Sequence, residues 1–107
     1  MTSDSAPCIE SVVLPVRPGH EAGFEAAFAD AVPIIKRQKG FRSLRLSRCI
    51  ERPNEYLLHV EWDSLADHTV GFRESDDYQR WRTALHHFYD PVPSVDHFHD
   101  VWRESRP

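Results

Sequence analysis

The chemistry this chain could do rests first on its histidines. In SVDHFHDVW, residues 94–102, His97 and His99 stand two apart, so on a strand they would share one face with side chains roughly 6–7 Å apart. Such a pair needs a third ligand to chelate a metal, and no cysteine or carboxylate completes an evident set. His59 belongs to another segment and would be separated from the pair by an intervening strand, so no metal ligands are expected. His68 falls on an apolar stripe with Leu65 and Phe72, at steps of three and four. That placement suits a base working near neutral pH, and equally a core histidine bonded to backbone. His86 and His87 sit off the stripe of the last helix, and the surface is the expected place for both.

Composition narrows the partners. The 107 residues carry 13 Lys plus Arg against 17 Asp plus Glu, a formal charge of −4, with the basic residues scattered. Scattered basic residues on an acidic chain argue against nucleic acid. No apolar run approaches the ~20 residues of a membrane span, so no membrane partner is expected. The opening MTSDSAPC has neither the basic start nor the apolar stretch of a signal peptide; residues 1–8 read as a disordered lead-in, and a cytoplasmic location is expected. Cys8 and Cys49 belong to no CxxC pair and read as reduced, packing thiols.

One domain, residues 9–107, must position these side chains. IESVVLPV at 9–16 is a β-branched run that stops at Pro18-Gly19. In residues 20–40, Phe24, Phe28, Ala31 and Ile35 mark one helical face; Gly40 supplies the stop, and Pro33 predicts a kink or break. Residues 41–63 form a hairpin turning at Pro53-Asn54. Asp63 or Ser64 caps a short helix through Phe72, and a second helix from ESDDYQRW carries Tyr78, Trp81, Leu85 and Phe88 on one side. DPVP at 90–93 ends it, and residues 94–102 close the chain as a fourth strand. The order strand, helix, strand, strand, helix, strand is the ferredoxin-like, split βαβ arrangement: an α+β fold with a four-stranded antiparallel sheet in order 4-1-3-2.

Helices cover one face of such a sheet. Both faces of the first strand are apolar, and Phe98 and Trp102 lie opposite Val95 and Val101, so a partner sheet is expected to cover the other face in a homodimer. Trp62 and Trp102 fit core or dimer contacts, and Arg42, Arg45 and Arg48 a solvated or dimer-edge strand face. Between helices and sheet, Phe28, Phe72 and Trp81, with His59, His68 or His97 as polar tips, would line a cavity suited to a flat organic molecule.

The segment YLLHVEWDSLADHTVGFRESDDYQRW, residues 56–81, resembles the antibiotic biosynthesis monooxygenase family, with its tyrosine-led strand ending in Trp and a following helix that carries a His. PGHEAGFEAAF, residues 18–28, and the Gly40-Phe41 junction are similar too, so the resemblance spans about 90 residues. It implies a dimeric α+β barrel and, for its better-known members, oxidation of quinol-like or polycyclic aromatic substrates by O2 without flavin, metal or haem. On that reading no cofactor is expected, the partners are a small aromatic molecule and O2, His68 is the base, and Phe72, Trp81, His59, His97 and Phe28 contact substrate. Haem-degrading relatives carry an Asn in the first strand and a Trp with a His in the helical region. Here that strand has no Asn, and Gly71-Phe72 stand where the Trp belongs. The alternatives are a non-catalytic dimer that holds an apolar ligand in the same pocket and, more remotely, a haem- or metal-handling protein.

Overall fold

The computed structural model describes residues 6–107; the first five residues of the expected lead-in lie outside that range. Strand β1 spans Cys8–Pro15, helix α1 Glu21–Lys36, β2 Phe41–Arg48, β3 Glu55–Trp62, α2 Asp76–Leu85 and β4 Val95–Phe98. A π-helical turn, Asp67–Phe72, precedes α2, and a 3-10 turn, His86–Phe88, follows it. The sheet is antiparallel in order β2-β3-β1-β4, which is the order expected for a ferredoxin-like α+β fold.

The alternation of β1 and β3 decides which residues meet the helices. Cys8, Glu10, Val12 and Leu14 of β1, with Val16 beyond it, and Tyr56, Leu58, Val60 and Trp62 of β3 are buried. Side chains on a strand alternate between its faces, so each set shares one side. Phe24, Phe28, Ala31 and Ile35 of α1 and Trp81 and Leu85 of α2 pack down on them as the periodicity predicts. Phe24 is the hub, with the rings of Tyr56, Phe88 and Tyr89 edge-on at 5.0, 5.7 and 5.7 Å. Edge-on aromatic contacts add stability beyond burial alone.

Three boundaries differ from the sequence reading. Helix α1 runs unbroken through Pro33, because that residue and Ala29, whose carbonyl loses its partner, are both exposed and water can serve the carbonyl. It ends at Lys36, not at Gly40. The glycine, at φ +84°, instead turns the chain into β2, and the space a Cβ would fill is taken by the Asp67 side chain. Strand β4 stops at Phe98, so His99, Val101 and Trp102 lie beyond it, exposed; His99 reaches back through Nδ1 to the carbonyl of Pro7, 2.9 Å away.

A carboxylate fastens the two helices together. Asp77 accepts a forked pair of bonds from Arg37 at 2.9 and 2.6 Å, one from Gln38 at 2.8 Å and one from Arg80 at 2.8 Å. Those donors hold its carboxyl well below the usual range. The sheet face away from the helices is left uncovered, and Val13, Leu57 and Phe98 on it are 51%, 39% and 53% exposed.

Candidate active site

Residues from β1, β3, β4, the π-helical turn and α2 enclose a cleft of about 410 Å³ on the helical side of the sheet. The walls are aromatic, with Phe72, Tyr78, Trp81 and Tyr89, and the polar lining is Glu10, His68, Arg73, Arg82 and His86. The volume and the aromatic walls are those of sites that take small organic ligands, with a larger polar share than most such sites have.

Two titratable side chains, Glu10 and His68, lie on the floor, with a third, His97, behind them. Glu10 comes from β1, where it falls in phase with Val12 and Leu14 and is only 6% exposed. Trp62 at the end of β3 donates its indole N–H to Glu10 Oε1 at 3.0 Å. The same oxygen lies 3.3 Å from His68 Nε2, and His68 Nδ1 lies 2.8 Å from His97 Nε2. With Glu10 ionised, one tautomer of His68 suits both neighbours: Nδ1 accepts from His97, and the proton on Nε2 faces the carboxylate across the 3.3 Å contact. The Trp62 ring also stacks on His68, centroids 5.4 Å apart and planes 23° from parallel.

Local structure sets this line. Ser64 caps the short helix, accepting from the backbone N–H of Asp67 at 3.1 Å. The turn then widens, and the N–H of Arg73 donates to the carbonyl of His68, five residues back, at 2.9 Å. Such π turns recur at functional sites. His97 reaches His68 because β4 pairs it with Glu10 across the ladder, which puts Val95 and His97 on the helical side and Asp96 and Phe98 on the uncovered side. Ser75 caps α2, and its hydroxyl accepts from Tyr78 N–H at 3.1 Å, which sets the helix that carries Tyr78, Trp81 and Arg82.

Burial governs the electrostatics. It pushes the Glu10 carboxyl up to about 7, against the Trp62 bond and the positive charge of Arg73, which both lower it. Burial, then Arg73 and His97, pull His68 down to about 3, so the imidazole is neutral over the physiological range. His97 and His86 are lowered too, first by burial. Tyr89 is raised, again chiefly by burial.

These shifts predict an acid-stability profile. Between pH 6.5 and 4.5 both states hold one proton across the pair, on His68 in the unfolded chain and on Glu10 in the folded one, so their contribution to stability is level. Below 4.5 the unfolded chain takes a second proton that the folded chain refuses until about 3, and about 2 kcal/mol of stability is lost across that interval. From 6.5 to 7 the unfolded chain holds none and the folded chain one, so stability drops slightly with rising pH. In Glu10→Gln the histidine stands alone, and the acid loss begins near 6.5 instead of 4.5. Urea titrations across pH 3–8 read the onset directly, and identical onsets in the two proteins would refute the assignment.

Of the residues singled out by sequence, His68, Phe72 and Trp81 line the cleft, and His97 stands behind His68. Two do not belong. His59 alternates with buried Leu58 and Val60, so it faces the uncovered side of the sheet. Phe28 lies beneath the wall, its ring edge-on to Trp81 at 5.7 Å. His86, expected on the surface, lines the cleft beside Tyr78 and Tyr89. Glu10, Arg73, Arg82, Tyr78 and Tyr89 were not anticipated. Glu10 alone had a legible signal, a carboxylate in phase with Val12, Leu14 and Val16 on the strand's buried face. Among the described residues no trio of His, Cys, Asp and Glu side chains converges on a point that could hold a metal. Glu10 and His97 engage opposite nitrogens of the His68 ring. Nor, among those residues, is any helix long and apolar enough to cross a membrane.

Comparison with known proteins agrees with this architecture. The uncharacterized protein YczJ of Bacillus subtilis (strain 168) is 50% identical over 92 residues, covering 86% of this chain and 97% of its own length. The crystal structure of a candidate antibiotic biosynthesis monooxygenase from Bordetella bronchiseptica is 37% identical, covers 91% of this chain and 99% of that one, and superposes with a TM-score of 0.86. SnoaB, a cofactor-independent oxygenase from Streptomyces nogalater, shares the fold at 21% identity and TM-score 0.79, covering 94% of this chain and 97% of its own. The sequence model described as antibiotic biosynthesis monooxygenase matches residues 8–84, more than half of the chain and including β1 to β3, the π turn and most of α2, and the chain is a member of that family.

Proposed function

We propose that the chain is a cofactor-independent monooxygenase that oxidises a small aromatic, quinol-like substrate with O2 in the cleft between helices and sheet. The observation that carries this reading is the Glu10–His68–His97 line, its first two members buried, under an aromatic cleft. A phenol becomes able to pass an electron to O2 once its proton is removed. The protein's tasks are then to hold the ring, take the proton and shield the anion.

Glu10 is the base and His68 its positioning partner. Oε1 of Glu10 accepts from Trp62 and lies against His68, whereas among the described residues nothing bonds Oε2, which belongs to a residue that lines the cleft, and none of their buried side-chain oxygens is left sealed without a partner. Oε2 is thus the oxygen open to substrate. His68 is bonded through Nδ1 to His97, and its Nε2 lies against the same carboxylate. The phenolate gives one electron to O2, and ring radical and superoxide combine; the hydroperoxide formed takes up the proton. Loss of water leaves a ring carbonyl, so one oxygen atom enters the product and the other leaves as water. Phe72 and Trp81 flank the ring. The half-exposed Val13 and Phe98 on the uncovered sheet face support a homodimer built through that face.

Oxygen uptake by chelator-treated protein with a panel of hydroquinones and naphthols tests the reading. Uptake of one O2 per quinone formed, with one of its oxygen atoms in the product, is expected. Uptake no faster than the uncatalysed reaction with every compound would overturn it.

A further inference from the structure

The cleft differs in charge from the protein around it. The chain carries a formal charge of −4, yet the lining holds two guanidiniums, Arg73 and Arg82, and one carboxylate, that of Glu10. Arg73 directly follows the π turn, and Arg82 lies four residues after Tyr78 on α2, on the same side of the helix. Both are exposed, and among the described residues neither makes an ion pair or a side-chain hydrogen bond. Their neighbours are otherwise disposed: Arg80 is tied to Asp77 at 2.8 Å and Arg37 to the same carboxylate at 2.6 Å. Two unneutralised cations at the mouth of one aromatic cleft make a well for an anion, and a guanidinium fork matches a carboxylate in two parallel bonds.

We propose that the substrate is an aromatic acid, a hydroxylated ring bearing a carboxylate that Arg73 and Arg82 grip at the rim while the ring lies between Phe72 and Trp81 above Glu10. This rests on the reading of the cleft as a site for a phenolic ring, but not on turnover. It assigns the arginines a role that a neutral naphthol or hydroquinone would leave empty. There is a chemical consequence as well. The charge of Arg73 acts on Glu10, His68 and His97 alike and opposes protonation of each. A carboxylate bound to Arg73 offsets that charge, so a substrate's own acid strengthens the base that deprotonates its hydroxyl.

Binding measured without oxygen separates this proposal from the reaction. Quenching of tryptophan fluorescence is titrated anaerobically with two matched pairs: 1-hydroxy-2-naphthoate against 1-naphthol, and 2,5-dihydroxybenzoate against hydroquinone. At low salt each acid is expected to bind at least about tenfold more tightly than its neutral partner, and the advantage to shrink as salt is added. Arg73→Gln with Arg82→Gln should abolish the preference while leaving the affinity for the neutral ring unchanged. Both side chains are exposed and unpaired, so the double variant should fold; the single Arg82→Gln keeps the test open if it does not. Equal affinity within each pair, or a preference that survives in the arginine variants, overturns the proposal. Acid preference without oxygen uptake upholds it and sinks the oxidation. Uptake with neutral naphthols and no acid preference does the reverse.

Discussion

Glu10→Gln is expected to lower kcat about 10²- to 10⁴-fold while the protein stays folded, the usual effect of losing a positioned general base. Glutamine keeps the shape of the side chain, and its amide oxygen can still accept from Trp62. What disappears is a group pushed by burial to about 7, where an acid is ionised often enough to act and basic enough to take a phenol's proton. His68, held near 3, is too weak a base at the same pH. In the wild type kcat/KM should therefore rise with pH through about 7. The indole N–H of Trp62 holds the carboxylate down, so Trp62→Phe should carry that rise to higher pH. His68→Gln should lower the rate less than Glu10→Gln. If Glu10→Gln keeps turnover within a few-fold of wild type, the base is elsewhere and His68 becomes the first alternative.

Trp62→Ala should cost about 3–5 kcal/mol of folding stability, a large share of what a domain of this size has. The side chain is fully buried and has three partners at once. It is edge-on to Phe41 at 6.1 Å, packs on Phe72 at 5.9 Å and stacks on His68. Removing it opens a cavity under the cleft and withdraws the direct donor from a buried carboxylate. Trp62→Phe preserves most of the packing and loses the N–H, so its cost should be about 1–2 kcal/mol. Urea denaturation of the two variants separates packing from hydrogen bonding. A loss under about 1.5 kcal/mol for the alanine would mean that the site does not rest on this ring.

Much of the architecture was legible because period decides face. The helical stripes of Phe24, Phe28, Trp81 and Leu85 and the alternation of Leu58, Val60 and Trp62 placed the core, and the succession of strands and helices placed the sheet order. The same alternation could have excluded His59, which lies between two inward residues. Glu10 escaped because a carboxylate in a strand reads as solvent-facing until its phase is compared with Val12 and Leu14. His97 was the reverse case. Local pattern leaves the two faces of β4 equivalent, and only pairing with β1, through Glu10 and Val12, turns His97 inward. Arg73, Arg82 and Tyr89 are brought together by the packing of α2 on the sheet, a tertiary event with no local signature.

The π-helical turn has a consequence for how such a site arises and is lost. Its five-residue hydrogen bond from Arg73 to His68 amounts to one residue more than an α-helix would need. Deleting a single residue between them would restore ordinary winding and leave Arg73 and α2 close to where they are, because five residues of π winding sweep about the same angle as four of α winding. The change would fall inside the turn, where the remaining residues are re-phased and the Phe72 ring loses its place in the wall, while strand order and core persist. A one-residue deletion therefore reshapes one wall of the cleft without moving the helix that follows.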